Sequence, residues 1–143
     1  MWTQREHHCA HRLVADLIKL ELESLSDSIF GLNEAIRYVA VLDSSNRLLE
    51  SRSKDSGIDG IPIERWREFV SFGPLMVLGS MERLEPHSGR LEFLIARYEK
   101  HLLAICYLQN HFVVLALDSK TEMRVVESIC NGVSVLLYEH DVH

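Results

Sequence analysis

The sequence predicts an α/β (α+β) protein in which helices pack against an antiparallel sheet. One observation is the order of elements, since helical and strand patterns follow one another as α-β-β-α-β-β-β-α. The other is that short polar turns separate the strands within each group, and turns of this length fit hairpins. Hydrophobic residues make up 47% of the 143 residues and charged residues 25%, as in globular proteins. We therefore expect residues 1–143 to form a single domain.

Composition and charge exclude several classes of function. The chain has 21 acidic and 15 basic residues, a net charge of −6, whereas a nucleic-acid-binding protein needs a dense basic face. No apolar run is long enough to cross a membrane. The three cysteines are few and widely spaced, which suggests no disulfide framework, and Cys106 and Cys130 are expected to be small buried side chains. The polar N-terminus lacks the pattern of a secretory signal, so we expect a cytoplasmic protein.

The first helix is predicted from about Thr3 to Leu32. Glu21 interrupts its apolar stripe, so we expect a bend or a change of neighbour there, and Gly31 is a suitable helix end. The stripe has helical spacing and comprises Leu13, Val14, Leu17, Ile18, Leu22, Leu25 and Ile29.

Five strands and two further helices complete the prediction. The middle helix begins at Pro62 and is kinked or split by Pro74, because proline removes a helical hydrogen bond. The expected strands are Ile36–Leu42, Arg47–Ser51, Leu91–Tyr98, Leu102–Leu108 and Phe112–Leu117. The last helix covers about Lys120 to Glu139.

The segment Ile36–Leu49, a strand, a polar turn (Asp43-Ser44-Ser45-Asn46) and a second strand, looks like the first hairpin of a known family. With the order of elements, it makes the chain resemble the roadblock (dynein light-chain-like) family of profilin-like folds, and it is also similar to an uncharacterised archaeal group. The resemblance implies a three-layer α-β-α sandwich with strand order 2-1-5-4-3. The first and last helices would cover one face and the middle helix the other.

The same resemblance implies a protein-interaction domain that is not an enzyme. Roadblock-like domains pair through the middle helix and a sheet edge, and serve as platforms for small GTPases or larger assemblies. It implies a homodimer surface here, and Trp and Met are common in interface cores. The alternative is that these side chains face their own sheet, above all Phe69 and Val70. The expected interface residues are Trp66, Phe69, Val70, Met76 and Phe93.

No catalytic motif is recognisable. The sequence contains neither Gly-x-x-x-x-Gly-Lys nor Gly-x-Gly-x-x-Gly, and therefore no phosphate-binding loop. It also lacks Gly-x-Ser-x-Gly, Cys-x-x-Cys and His-Glu-x-x-His. We therefore expect that the protein is not an enzyme and that it binds no organic cofactor.

Histidines at the two ends of the chain suggest a second function. His7 and His11 are one helical turn apart, and antiparallel terminal helices would bring them toward His140. Three imidazoles with a fourth ligand, such as His143 or Cys9, satisfy zinc. The alternatives are solvated histidines, or a cluster that responds to pH. A metal- or small-ligand-responsive sensor is therefore the second hypothesis.

Overall fold

The computed structural model describes residues 4–54, 57–58, 61–62, 64–70, 82–108 and 111–140, and of these residues 4–11, 57–58, 82, 108 and 140 by their backbone only. The helices are α1 (Gln4–Phe30), α2 (64–70), α3 (Glu85–Ser88, after a 3-10 turn at Glu82–Leu84) and α4 (Met123–His140). The strands are β1 (Ile36–Asp43), β2 (Leu48–Ser53), β3 (Gly57–Ile58), β4 (Ile61–Pro62), β5 (Phe93–Arg97), β6 (His101–Leu108) and β7 (His111–Asp118).

Five strands form one sheet in the order β2-β1-β7-β6-β5, and every neighbouring pair is antiparallel. Counted without the separate two-stranded hairpin β3–β4, this is the predicted order 2-1-5-4-3. The small hairpin was not predicted, because its segment is rich in Gly, Ser and Asp and was interpreted as a loop.

The sheet is buried on both faces because successive side chains of a strand point in opposite directions. In β1, Val39 and Val41 face the cluster that contains α1 and α4, whereas Tyr38, Ala40 and Leu42 face the cluster that contains α2. The two clusters confirm the predicted three layers, with the terminal helices on one face and the middle helix on the other.

Helices α1 and α4 form one layer and pack closely against each other and the sheet. Leu25 and Ile29 of α1 are fully buried. A Cβ at Gly132 of α4 would lie 3.1 Å from Cδ2 of Leu32, so the absence of a side chain at Gly132 lets the segment after α1 approach α4 closely.

The thiols of Cys106 and Cys130 lie within this layer, and both are buried as predicted. The hydrogen bond that Cys106 donates to Cys130, together with burial, raises the pKa of Cys106 well above its usual value, and the same hydrogen bond lowers the pKa of Cys130. Both side chains belong to the apolar cluster of this layer, so the pair fits a packing role.

The N-terminal half of α1 does not pack as predicted. All described residues from Arg12 to Glu21 are exposed, whereas burial begins at Leu22. The expected change of neighbour at Glu21 is therefore confirmed, and the part of the predicted stripe that precedes it is exposed (Leu13, Val14, Leu17 and Ile18).

The middle helical region also differs from the prediction. Pro62 belongs to β4, so α2 begins two residues later. Pro86 lies in the first turn of α3, a position that tolerates proline. Pro74 and Met76 lie outside the described residues. No helix in the described part of the chain is both long and apolar enough to span a bilayer.

Candidate functional site: an apolar groove and an open sheet edge

Two residues anchor α2 to the sheet. Trp66 is 4% exposed and Val70 is fully buried. The Trp66 ring stacks on Tyr38 with centroids 5.5 Å apart, and meets the ring of His101 edge-on at 5.1 Å. These contacts fix α2 against β1 and β6, the strands on either side of the central strand β7, and so determine which of its side chains remain accessible.

Tyr38 closes this cluster from the direction of β2. Its hydroxyl lies 2.7 Å from Oγ of Ser51, within hydrogen-bond distance. Burial raises the pKa of Tyr38, and the Ser51 hydroxyl opposes this rise. The phenol therefore stays neutral at physiological pH and acts as a packing residue with a satisfied polar end.

A groove of about 290 Å³ lies between α2 and the turn that joins β5 to β6. Its lining is almost entirely apolar and aromatic, with one charged residue at the rim. The lining residues are Ile61, Arg65, Trp66, Phe69, Tyr98, His101 and Leu103. Among them, Tyr98 is half-exposed, and its ring centroid is 5.1 Å from that of His101. The groove can accept an apolar or aromatic side chain, or a small planar molecule.

Arg65, the charged residue at the rim of the groove, has an acidic neighbour on α2. Arg65 lies 3.5 Å from Glu68 on the exposed side of α2, and both side chains are largely solvated. Such an exposed pair contributes little to stability, so both groups are available to a partner.

Strand β5 forms the edge of the sheet beside this groove, and no described strand pairs with its outer side. The backbone N–H of Tyr98 donates to His101, and that of Tyr107 donates to Glu92. Because antiparallel hydrogen bonds alternate along a strand, residues 93, 95 and 97 direct their N–H and C=O groups away from β6. No strand in the described part of the chain pairs with these three outward pairs, so they can bind a strand of a partner.

The opposite edge, β2, is chemically different. Its sequence, Leu-Leu-Glu-Ser-Arg-Ser, includes the charged residues Glu50 and Arg52, and the Arg52 guanidinium pairs with Asp27 of α1 at 2.6 Å. Edges with charged side chains resist pairing. In contrast, β5 has the sequence Phe-Leu-Ile-Ala-Arg. A mostly apolar edge of this kind favours pairing with another strand.

The predicted interface residues occupy different environments. Trp66 and Val70 lie in the core of their own chain, whereas Phe69 is half-buried at the groove and Phe93 is half-buried on β5. Met76 lies outside the described residues. Their contact with a partner stays a prediction, and the accessible part of this surface is Phe69, Tyr98 and the edge of β5.

The predicted zinc ligands cannot be placed against one another. The side chains of His7, His11 and His140 lie outside the described part, as do His143 and the side chain of Cys9. Within the described residues, no three His, Cys, Asp or Glu side chains form a group that could hold a metal. The zinc site stays a prediction.

Sequence reasoning missed His101 and Tyr98 as parts of this surface. His101 is buried even though it begins a strand beside a two-residue turn. The available signal was the pair of rings on either side of Glu99-Lys100, since residues that flank a tight hairpin turn lie opposite each other.

Comparison with solved structures identifies the fold class. The chain is similar to the gliding protein MglB from Thermus thermophilus, with a TM-score of 0.59, 12% identity, and coverage of 85% of this chain and 92% of that one. MglB of Myxococcus xanthus has a TM-score of 0.59 and 15% identity, with coverage of 85% of this chain and 92% of that one. A Roadblock/LC7 domain from Streptomyces avermitilis has a TM-score of 0.53 and 9% identity, with coverage of 76% of this chain and 88% of that one.

These likenesses show a roadblock-like, profilin-like fold, which confirms the fold predicted from the first hairpin and the order of elements. No family model matches the chain. None of the curated proteins matches it either. The archaeal resemblance stays a prediction.

Proposed function

We propose that this protein is a non-enzymatic interaction domain that pairs with a second copy through α2 and the open edge of β5. The observation that carries the proposal is the apolar edge strand beside a groove that fits an apolar side chain. Both features lie on the same side of the molecule, so one partner can pair with the strand and fill the groove together. The fold shared with MglB and a Roadblock/LC7 domain supports an interaction role by analogy.

A small GTPase or a larger assembly is the proposed partner of the dimer. This part of the proposal rests on the resemblance to roadblock-like domains, which serve as platforms for such partners. The charged pair of Arg65 and Glu68 offers polar contacts around an apolar centre, which is the usual arrangement of an interface.

The strand edge provides a direct test. Arg97 is exposed at the end of β5, and its N–H points outward, so Arg97→Pro removes an edge donor without removing a hydrogen bond of the sheet. Light scattering after size exclusion at about 10 µM should give a dimer for the wild type. The variant should have at least a tenfold weaker dimer, since it loses a hydrogen bond and meets the steric bulk of the proline ring.

Arg97→Ala is the matched control, because it removes the same side chain and keeps the N–H. It should remain dimeric. Unchanged circular dichroism of Arg97→Pro shows that the sheet is intact. A wild type that is monomeric at 10 µM, or a Pro variant as dimeric as the Ala variant, contradicts pairing through β5.

The groove favours a second candidate, a small-ligand sensor with its site between the sheet and α2. The rings of Trp66 and Tyr98 line the groove, so a planar ligand can stack against them. Titration with 1-anilinonaphthalene-8-sulfonate is a suitable probe. This candidate predicts binding to a monomer that Phe69→Lys abolishes and Leu84→Lys, at an exposed leucine of the 3-10 turn, leaves unchanged.

A further inference from the structure

The exposed half of α1 carries an apolar stripe that the described part of its own chain leaves uncovered. Leu13, Leu17 and Leu20 are 64%, 60% and 60% exposed. Successive helical residues are rotated by about 100°, so this stripe is roughly 150° from the stripe of Leu22, Leu25 and Ile29 that faces the sheet. No bend of α1 toward its own sheet would bury both stripes at once.

A helix of this kind needs a partner in water. The exposed residues from Arg12 to Glu21 span about 15 Å, and helical segments of this length are marginal without packing. The leucine spacing of four and then three residues is that of a coiled-coil seam, in which two helices bury a shared apolar stripe.

The charges beside the seam indicate which helix fits. Arg12, Asp16, Lys19 and Glu23 follow one another at intervals of four, three and four residues, so they lie along one side of α1 with alternating sign. None of the four belongs to an ion pair within 4 Å in the described part of the chain. Arg12 and Asp16 therefore have charges available to a neighbouring helix, and Lys19 and Glu23, whose charges also act on Glu50 of β2, lie on the same side of α1.

We propose that α1 pairs antiparallel with α1 of a second copy, with Leu17 at the centre of the contact. Arg12 and Glu23 lie five residues before and six residues after Leu17, so in this arrangement each Arg12 faces Glu23 of the second copy. Asp16 faces Lys19 of the second copy for the same reason, and Leu13 packs against Leu20 of the second copy. Opposite charges on the flanks of a coiled coil select partner and direction.

A parallel pair fits the same residues poorly. It would bring Asp16 of one copy toward Glu21 of the other, because flanking residues five positions apart meet in parallel coiled coils. Like charges on both sides of the seam disfavour that arrangement. This contact is separate from α2 and β5, so two surfaces of one chain would together produce an assembly larger than a dimer.

The test isolates the α1 contact by working with Arg97→Pro, in which pairing through β5 is blocked. At about 50 µM this protein should have the mass of a dimer by light scattering. Adding Leu17→Glu should reduce the mass by half, whereas adding Leu84→Glu, at a leucine of similar exposure, should leave it unchanged. A monomer before Leu17→Glu is added, or an unchanged mass afterwards, overturns the proposal and leaves the stripe for a different protein.

Disulfide trapping tests the direction of the pair. With Cys9→Ser and Arg97→Pro throughout, Leu13→Cys alone should give less than a tenth of the intermolecular disulfide that a mixture of Leu13→Cys and Leu20→Cys gives. Equal trapping by Leu13→Cys alone would indicate a parallel pair and overturn the proposal. Because both tests use the blocked edge, they give the same answer whether or not β5 mediates the dimer of the proposed function.

Discussion

The two halves of α1 have the same kind of sequence and opposite environments. Leucines recur at helical spacing in both, yet Leu25 is fully buried and Leu17 is 60% exposed. The C-terminal half lies over β1 and β2, and Arg52 holds it there by binding Asp27 and the backbone oxygen of Glu23. The difference shows that an apolar stripe identifies a surface that needs covering, whereas topology decides which chain covers it.

The largest expected effect separates these halves directly. Leu25→Ala should lower the free energy of unfolding by about 2–5 kcal/mol, because it leaves a cavity in a packed core. Leu17→Ala should cost under about 0.5 kcal/mol in dilute solution, as exposed substitutions usually do. Urea denaturation followed by circular dichroism measures both values.

Protein concentration sharpens this contrast. If α1 pairs with a second copy, the cost of Leu17→Ala should increase with protein concentration, because the wild type gains stability from association. The cost of Leu25→Ala should increase much less. Similar costs for the two variants at nanomolar concentration would mean that both halves of α1 are packed in the monomer.

Zinc provides a test that could break the comparison, since a metal bridge to the end of α4 would bring the N-terminal half of α1 against its own chain. If His7, His11 and His140 bind zinc, the metal at a hundredfold excess over its Kd should stabilise the fold by about 2.7 kcal/mol. Differential scanning fluorimetry should then show a rise in Tm for the wild type and none for His11→Ala. His87→Ala, at an exposed histidine of α3, is the control, and equal shifts in all three proteins would exclude the site.

Sequence patterns predicted the sheet well because strand length, alternation and short turns are local properties. Each end of β6 and β7 lies within one residue of its predicted position. The burial of Val126, Ile129 and Val133 follows from helical spacing alone. Within α4 itself, Gly132 has only a low helix propensity. Its role as a contact point for Leu32 depends on a residue 100 positions away, which spacing within one helix does not encode.

The candidate site was harder to predict for the same reason. Tryptophan is common in interfaces, but Trp66 is covered by Tyr38 of β1 and His101 of β6. Conversely, β5 was predicted as a strand, whereas the outward direction of its N–H groups at residues 93, 95 and 97 follows only from its register with β6. A surface assembled from several elements is therefore visible once their pairing is known.

The smallest expected effect lies at the boundary between the two halves of α1. Burial, together with the charge of Glu23, raises the pKa of Glu50 in β2 above 4.5, its usual value. A raised folded-state pKa means that ionised Glu50 opposes folding, so its contribution is favourable below the unfolded pKa and is lost as the pH rises through the folded pKa. Glu50→Gln should therefore raise the Tm at pH 7, on the order of 1 °C for so exposed a carboxyl, and leave it unchanged near pH 3.

Glu23→Gln completes a double-mutant cycle for this effect. With Glu23 neutral, the repulsion that contributes to the raised pKa of Glu50 is gone, so Glu50→Gln should raise the Tm at pH 7 by less than it does in the wild type. The same gain in both backgrounds would show that burial alone is responsible. In that case apolar packing and Arg52 hold the first buried turn of α1 over β2. The charge of Glu23 then does not affect the position at which α1 becomes buried.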